Sequence, residues 1–438
     1  MIKVDDKINT ALTKAWHRRS AESSLERWLE VSAREDWGDF SDKLPLLVSV
    51  FGASWYFTRY IFYLGRDIIP LFDNALTQRF DRPALLDRLG GMDAGIDLEQ
   101  RLEQLRLLKN GVMLQILLAY LCGATSQPQV ELALTHLAEA TLMRMLEIFD
   151  LTGGSSQHRL AVLGMGRMAG YEMTFGSDLD LIFLYKDLSG DEGHALSRNI
   201  RLLLRHLAMA SSAGNLYEVD MRLRPHGTSG ALLTTVGSFL HYHAAEREIW
   251  ERQVMTRCRP VIDQHGLGAA ALDEIKPFIY CACAEAALRH EILAMRARVE
   301  QEKGRESGKF NVKQGRGGLM DIDFISHFFQ LRYGGSDPDL QTCSTRKALE
   351  VLAGRALLAP EVSHELLAAY DFLKQVESCI RLFDMKSISS IARQAQANHP
   401  LAQALGYGND VDGFMDKYQS VTDGVRQHFT ELLGNLPK

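Results

Sequence analysis

Two carboxylates stand two residues apart in the stretch "GSDLDLIFLY". Asp178 and Asp180 directly precede the apolar run "LIFLY", and this run predicts a buried strand. Residues two apart on a strand point to the same side, so these acids would repel each other unless a cation lies between them. Mg²⁺ suits such a pair, because it takes oxygen ligands from a few carboxylates and from substrate phosphates. The spacing therefore predicts a metal site at the start of a strand.

A second stretch, "LYEVDMRLRP", alternates apolar and polar residues and predicts another strand. Asp220, Arg222 and Arg224 would share its polar face. Asp220 could complete a triad of carboxylates that holds two Mg²⁺ ions, and the arginines could neutralise a triphosphate in the transition state. Gly176 and Ser177 would let the backbone approach a phosphate, with the serine hydroxyl as a donor.

The glycines of "LGMGRMAG" suggest an alternative to the metal and triphosphate site, namely a dinucleotide-binding site. Gly164, Gly166 and Ala169 satisfy the pattern G-x-G-x-x-A after a predicted strand. In a dinucleotide-binding unit the acid that binds ribose follows about 20 residues later, at the end of the second strand. Here the acids come only 12 and 14 residues after Gly166, at the start of a strand. This spacing also leaves little room for a crossover helix, and it disfavours the dinucleotide hypothesis.

The elements that must position these residues fall into three regions. Residues 1–150 show helical periodicity, with Asp97 placed as an N-cap and Pro128 in the first turn of a long helix. A linker is predicted at 153–156, and strands and helices alternate over 151–265. Residues 266–438 are helical again. We therefore expect a mainly helical α+β protein with a helical N-terminal region, a central catalytic domain and a C-terminal helical bundle.

Composition limits the class of protein. The 438 residues are 46% hydrophobic and 24% charged, and the net charge of −6 gives no general attraction to nucleic acid or to an anionic membrane. The run "LLVSVFGASWYFTRYIFYLG" is interrupted by Arg59, which favours a buried helix over a membrane span. The first twenty residues lack the apolar core of a secretion signal, and six scattered cysteines are typical of free thiols. A cytoplasmic protein is expected.

The region after the predicted sheet holds two features with open alternatives. Residues 289–318 carry eight Lys or Arg against four Glu, which fits either a solvated helix and loop or a surface that faces phosphate. Asp321 and Asp323 repeat the two-apart spacing after a glycine pair. They would either stabilise the dipole of a helix that begins there or help to place a nucleotide.

Four motifs carry a resemblance to a known family: "GMGRMAGYEMTFGSDLDLIFLY", "GNLYEVDMRLRPHGTSGALLTT", "FLHYHAAEREIWERQVMTRCRPV" and "FNVKQGRGGLMDIDFISHFFQLRYGG". In this order they resemble the glutamine synthetase adenylyltransferase family, whose catalytic domain is a polymerase-β-like nucleotidyltransferase. The resemblance places the family pattern G-S-D-x-D on Gly176, Ser177, Asp178 and Asp180, and the third carboxylate on Asp220. Where the family usually has Lys-Leu-Gly-Gly, this chain has "RMAG", and Arg167 keeps the positive charge near the nucleotide.

The resemblance implies transfer of AMP from ATP, with Mg²⁺, to a tyrosine of glutamine synthetase, in control of nitrogen assimilation. It also implies the reverse task, phosphorolytic removal of that AMP with ADP as product, and regulation by glutamine and a PII signal protein. Family members typically carry two tandem nucleotidyltransferase halves, whereas this sequence holds one.

The direction of the reaction and two other functions remain as alternatives. "NLYEVDMRLRP" and "GGLMDIDF" look like the adenylylating half, whereas "GMG" and "IWER" lean towards the AMP-removing half. A negative Asp321 beside the site would repel free phosphate, which favours adenylylation. The other functions are a regulatory module that has lost catalysis, disfavoured by three intact carboxylates, and a nucleotidyltransferase for nucleic acid, disfavoured by the acidic net charge.

Overall fold

The computed structural model describes residues 6–37, 40–91, 95–152, 160–186, 188, 190–245, 248–263 and 265–437. The predicted linker at 153–156 lies outside these ranges. The described chain is mainly helical with a small mixed sheet, which confirms the expected α+β class.

The N-terminal region is helical, as expected. Its helices are α1 (Asp6–Lys14), α2 (Arg18–Arg34), α3 (Leu44–Ala53), α4 (Trp55–Leu64), α5 (Ile69–Asp73), α6 (Arg82–Gly90), α7 (Leu98–Leu121) and α8 (Gln127–Ile148). Asp97 caps α7 by accepting a hydrogen bond from the Gln100 N–H at 2.9 Å, as its side-chain chemistry predicts. Pro128 lies in the first turn of α8, where its missing N–H costs nothing.

The membrane-like stretch forms two helices rather than one, because α3 ends and α4 begins around Ser54. The Ser54 hydroxyl donates to the Leu382 carbonyl at 2.7 Å and accepts from the Phe57 N–H at 3.3 Å. Phe51, Phe57 and much of this pair of helices are buried in the protein. Within the described ranges, no helix combines the length and apolar character needed to cross a membrane.

The central region builds the mixed sheet. Its elements are β1 (Leu160–Met165), α9 (Gly166–Ala169), β2 (Leu179–Tyr185), α10 (Gly190–Ala208), β3 (Val219–Asp220), β4 (Leu233–Thr235), α11 (Val236–Ala245), α12 (Ile249–Met255) and β5 (Cys258–Ile262). β1 lies between β5 and β2 and is antiparallel to both. β3 and β4 run parallel to successive parts of β2. β2, the strand that carries Asp180, is thus hydrogen-bonded to neighbouring strands along both of its edges.

One predicted strand is much shorter than expected. In "LYEVDMRLRP" only Val219 and Asp220 pair with β2, so the alternation predicted from Tyr217 to Leu223 is wrong beyond them. The chain turns because the Asp220 carboxylate accepts a hydrogen bond from the Arg222 N–H two residues later. A hydrogen bond from the backbone to the Asp220 side chain therefore replaces the next hydrogen bonds of the strand and ends β3 at this residue.

Two hydrophobic cores cover the two faces of the sheet. Val162, Leu181 and Phe183 point into a core shared with the N-terminal helices. Their strand neighbours Leu163 and Ile182 point into a second core shared with the C-terminal helices. The two-residue period of the strands thus divides the apolar side chains between the cores. The three-domain division of the sequence stays a prediction, and both cores cross its borders.

The C-terminal region surrounds a two-stranded ribbon with helices. It comprises α13 (Leu267–Ile279), α14 (Glu285–Lys303), β6 (Lys309–Asn311), α15 (Leu319–Tyr333), α16 (Thr345–Gly354), α17 (Pro360–Asp384), β7 (Ser390–Ala392), α18 (His399–Ala404) and α19 (Val411–Leu433). β6 and β7 pair antiparallel. The end of α14, β6 and the segment after α17 come together beside the start of β2, where they help to form the candidate site.

Candidate active site

The predicted acids meet in one cleft of about 810 Å³. Asp178 directly precedes β2, Asp180 is its second residue, and Asp180 pairs in register with Asp220 of β3. The cleft brings together six of the predicted residues: Arg167, Ser177, Asp178, Asp180, Asp220 and Arg222. It does not bring in Gly176 or Arg224. The parallel pairing of two short strand segments explains how acids 40 residues apart reach the same cleft.

Asp180 has a strongly perturbed environment. Burial raises its pKa to about 6, and the negative charges of Asp220 and Asp178 add to that rise. Lys313 and Arg167 oppose it. Burial is thus the main reason that the charged form of Asp180 is disfavoured, and the two neighbouring carboxylates add a repulsion that a cation between them would relieve.

Asp220 has a different environment because Arg222 binds it directly. The Arg222 Nε lies 2.8 Å from Asp220 Oδ2, and the Arg222 backbone N–H lies 2.8 Å from Oδ1. These hydrogen bonds hold the pKa of Asp220 below its usual range. Among the residues that the structure describes, no group of three or more His, Cys, Asp or Glu is arranged to hold a metal ion. The metal triad therefore stays a prediction, and both carboxylate oxygens of Asp220 accept hydrogen bonds from Arg222 in this structure.

Arg224 lies elsewhere, and the predicted shared face with Asp220 is wrong for it. Its guanidinium donates to the carbonyl oxygens of Met221 at 2.6 Å, Ala231 at 3.0 Å and Gly230 at 3.1 Å. These contacts hold the loop between β3 and β4 in shape. The turn after Asp220 breaks the alternation that would have carried Arg224 to the cleft.

Gly176 and Ser177 mainly shape the loop that carries the acids. Gly176 has a φ of +64°, and a Cβ there would lie 2.8 Å from the carbonyl carbon of Met385. The glycine is therefore needed because the chain after α17 passes close to it. Ser177 lines the cleft, while its hydroxyl accepts a hydrogen bond from the Thr174 N–H at 3.0 Å.

Arg167 belongs to a buried charge network that the sequence did not predict. Its Nη2 lies 2.5 Å from Oε1 of Glu377 on α17, and Arg381 lies 3.3 Å from the same oxygen. Burial by itself would raise the pKa of Glu377, but Arg167 and Arg381 hold it far below its usual range. Glu377 thus holds two cations that line the cleft. The i,i+4 spacing of Glu377 and Arg381 on one helix is a signal in the sequence, but nothing there links either residue to Arg167.

The wall of the cleft that comes from the C-terminal region, the cationic wall, is mainly positively charged, although Glu306 also belongs to it. Lys303 from the end of α14, Lys309 from β6 and Lys313 from the following loop all line the cleft, together with Arg381. The positive charge of Arg167, followed by burial, lowers the pKa of Lys313 to about 8. These lysines come from the basic segment at 289–318, and their position favours the interpretation that it faces phosphate.

Asp321 and Asp323 do not line this cleft. Asp321 lies in the first turn of α15, accepts from the Gly317 N–H at 2.8 Å and forms ion pairs with Arg296 at 2.5 Å and Arg426 at 2.9 Å. Asp323 forms an ion pair with Arg257 at 3.0 Å. The structural role at a helix start is confirmed for Asp321. The expected repulsion of phosphate by Asp321 is wrong, because two arginines neutralise this buried acid away from the cleft.

Known proteins are similar to this one over most of the length of the chain. The bifunctional glutamine synthetase adenylyltransferase/adenylyl-removing enzyme of Aromatoleum aromaticum is 28% identical over 82% of this chain and 40% of its own length. The enzymes of the same name from Nitrosococcus oceani and Methylococcus capsulatus are each 30% identical, over 75% and 78% of this chain. The chain spans 36–40% of the length of these three relatives.

Two family models match different parts of the chain. The model described as GlnD PII-uridylyltransferase matches residues 293–433, a range that includes the three lysines and Arg381 of the cationic wall. The model described as glutamate-ammonia ligase adenylyltransferase matches residues 47–274, just over half of the chain, including the sheet and all three acids of the cleft. The chain therefore belongs to the glutamate-ammonia ligase adenylyltransferase family.

Proposed function

We propose that this chain is a nucleotidyltransferase that transfers AMP from ATP to a tyrosine of glutamine synthetase. The observation that carries this proposal is the cleft in which Asp178, Asp180 and Asp220 face Lys303, Lys309 and Lys313. Acids that can bind a metal and cations that can bind phosphate are the two parts that phosphoryl-transfer sites share. Family membership and the names of the relatives supply the substrate class.

The donor set of the cleft fits Mg²⁺. Asp178 and Asp180 offer only oxygen ligands, and Mg²⁺ is commonly held by one or two carboxylates together with substrate phosphates. The raised pKa of Asp180, at about 6, reflects burial first and then the nearby charges of Asp220 and Asp178, which a divalent cation would offset. When bound, the metal would polarise the α-phosphate and shield the charge of the triphosphate. Asp220 would join the ligands once Arg222 turns to the nucleotide.

The reaction itself requires little more than positioning and charge stabilisation. The tyrosine oxygen forms a bond to the α-phosphorus of ATP, the bond from that phosphorus to the bridging oxygen breaks, and pyrophosphate leaves. The phenolic proton passes to solvent. Lys313, Arg381 and Arg222 line the cleft; we expect Lys313 and Arg381 to stabilise the leaving pyrophosphate and Arg222 to stabilise charge at the reacting phosphate.

Removal of AMP from adenylylated glutamine synthetase is the second candidate function, and the cationic wall favours it. Inorganic phosphate would attack the same phosphorus and release ADP and free tyrosine. The wall offers three lysines and Arg381, against Glu306 beside Lys309 and Glu377 beside Arg381, and this positive charge would attract a free phosphate beside the nucleotide. With Asp321 neutralised, no acid behind "GRGG" opposes that binding. A catalytically weak regulatory module is the remaining alternative.

Parallel incubations separate these functions. Unmodified glutamine synthetase is supplied with α-labelled ATP and Mg²⁺, and adenylylated glutamine synthetase is supplied with phosphate and Mg²⁺. Label on the first protein identifies the adenylylating enzyme, and ADP release from the second identifies the AMP-removing enzyme. Asp178→Asn should abolish either activity, whereas Asp416→Asn, at an exposed position on α19, should leave it intact. Absence of both activities in the parent protein would contradict the proposal and leave the regulatory module.

Further expectations follow from this proposal. The central sheet would have the polymerase-β-like arrangement, and the enzyme would act in the cytoplasm on a protein, without nucleic acid or membrane as partners. The match of residues 293–433 to the GlnD PII-uridylyltransferase model supports a PII signal protein as a regulatory partner. Retention of this chain on immobilised PII protein would test that part of the proposal.

A further inference from the structure

A second cavity, of about 310 Å³, lies on the other side of the loop that carries the acids. It is bounded by α7, α8, the loop before β2 and the segment after α17. Ser177, Asp178 and Ser387 line both this cavity and the cleft, so the two spaces adjoin at the candidate catalytic carboxylate. A single ligand can therefore extend from one space into the other.

The walls of this second cavity suit a flat ring. Much of its surface is apolar and comes from long, adaptable side chains, while Lys109, Asp178, Glu218 and Lys386 supply the charged groups of its lining. Methionine is flexible and polarisable and makes favourable contacts with aromatic rings. The apolar residues and tyrosines that line the cavity are Tyr56, Met113, Leu134, Met173, Leu216, Tyr217 and Met385.

Two buried polar groups line the same cavity. Tyr217 is 7% exposed, and its hydroxyl has no hydrogen-bond partner among the described residues. Lys109 is 3% exposed, and its Nζ lies 4.6 Å from the centre of the Tyr217 ring and 3.1 Å from Asn110 Oδ1. Buried hydroxyls are almost always hydrogen-bonded in native proteins, so the unpartnered Tyr217 hydroxyl points to a ligand.

We propose that the second cavity binds the purine base of the nucleotide whose triphosphate occupies the cleft. The ring would lie between the methionine side chains, with the Tyr217 hydroxyl and the Lys109 Nζ as hydrogen-bond donors to its ring nitrogens. The ribose would pass Ser177 and Ser387, which line both spaces. This inference rests on the proposed function, because it assigns the base of the same substrate.

The test compares the binding of ATP with the binding of inorganic tripolyphosphate, both with Mg²⁺, by titration calorimetry. Tripolyphosphate has the phosphates without the base, so it reports on the cleft alone. Tyr217→Phe and Lys109→Met should each weaken ATP binding about tenfold, the effect of one lost hydrogen bond, and leave tripolyphosphate binding unchanged. Tyr63→Phe is the matched control, because Tyr63 is 47% exposed and lies outside both spaces. It should change neither affinity.

Urea unfolding of the same variants separates a ligand role from a structural one. Tyr217→Phe removes a buried hydroxyl that has no described partner, so the unliganded protein should unfold at the same or a higher urea concentration. Unchanged ATP affinity in both cavity variants would overturn the base site and leave the proposed function standing. Equal loss of ATP and tripolyphosphate binding would also overturn it, by showing a structural role. Failure of the parent protein to bind either ligand would overturn both proposals.

Discussion

Replacement of Asp180 by asparagine tests the electrostatics of the cleft without changing its shape. Asparagine is nearly isosteric with aspartate and carries no charge, so it imitates the protonated acid. In the folded protein, burial and the nearby Asp220 and Asp178 raise the pKa of Asp180 from 3.8 to about 6. The charged form of Asp180 therefore destabilises the metal-free fold, and Asp180→Asn should relieve that destabilisation.

The structure gives both the size and the pH range of the effect. A rise from 3.8 to about 6 corresponds to about 3 kcal/mol between the two protonation states. Because the folded-state pKa is raised, the stability contributed by protonation is complete below about pH 4 and is lost as the pH rises through about 6. The variant should therefore equal the parent protein near pH 4 and exceed its free energy of unfolding by about 3 kcal/mol near pH 8.

Urea denaturation at both pH values, without metal, measures this difference directly. Asp416→Asn removes one exposed aspartate from α19 and should show no difference from the parent protein at either pH. Added Mg²⁺ should stabilise the parent protein near pH 8, because ligands that bind only the folded state raise its stability. The same addition should give Asp180→Asn a much smaller gain.

Two results would refute this reasoning. If Asp180→Asn and the parent protein unfold alike near pH 8, neither burial nor the neighbouring carboxylates destabilise the charged form of Asp180 in the folded cleft. If Mg²⁺ stabilises both proteins equally, Asp180 is not a ligand.

Four other variants test separate parts of the site. Arg224→Ala should lower the free energy of unfolding by about 1–3 kcal/mol in urea titrations, because the Arg224 guanidinium donates hydrogen bonds to loop carbonyl oxygens. Arg222→Ala should instead lower kcat about a hundredfold in steady-state kinetics, with little effect on unfolding. The reverse pattern would show that Arg222 is the structural residue and Arg224 the one that acts in the reaction. Glu377→Gln should cost about 3–5 kcal/mol in urea denaturation, because it leaves Arg167 buried beside an uncharged partner, and a near-parental midpoint would show that the network is dispensable. ATP affinity, measured by titration calorimetry, should fall as the pH rises through about 8, because Lys313 loses its proton there. Lys313→Arg should remove this fall, since arginine stays charged. If the variant keeps the pH profile of the parent protein, Lys313 is not the titrating group.

The sequence predicts the acid side of the cleft because that side is local. Asp178 and Asp180 lie beside an apolar run whose type and length specify a buried strand, and their spacing alone fixes their shared face. Asp97 and Pro128 are predictable for the same reason, since a helix start depends on a few adjacent residues. In each case the deciding interaction spans fewer than about ten residues.

The cationic wall of the cleft could not be predicted from local sequence patterns, because its residues come together only through tertiary packing. Arg167 and Glu377 are 210 residues apart in the chain and meet only after α17 packs against the sheet. Composition marked 289–318 as basic but could not place Lys313 opposite Asp180. The strand predicted through Arg224 failed for another reason, because the Asp220 side chain binds the backbone and ends the strand early.

The division of the strands between two cores sets the smallest piece of this chain that can be made as a stable fragment. A protein cut after β5 would leave Leu163, Ile182 and Leu184 in contact with water across a whole sheet face. A protein that starts at β1 would expose Val162, Leu181 and Phe183 on the opposite face. Either fragment would present an apolar surface of the kind that aggregates. For recombinant expression, and for any gene fusion or deletion, the helices on both sides must therefore be kept with the sheet.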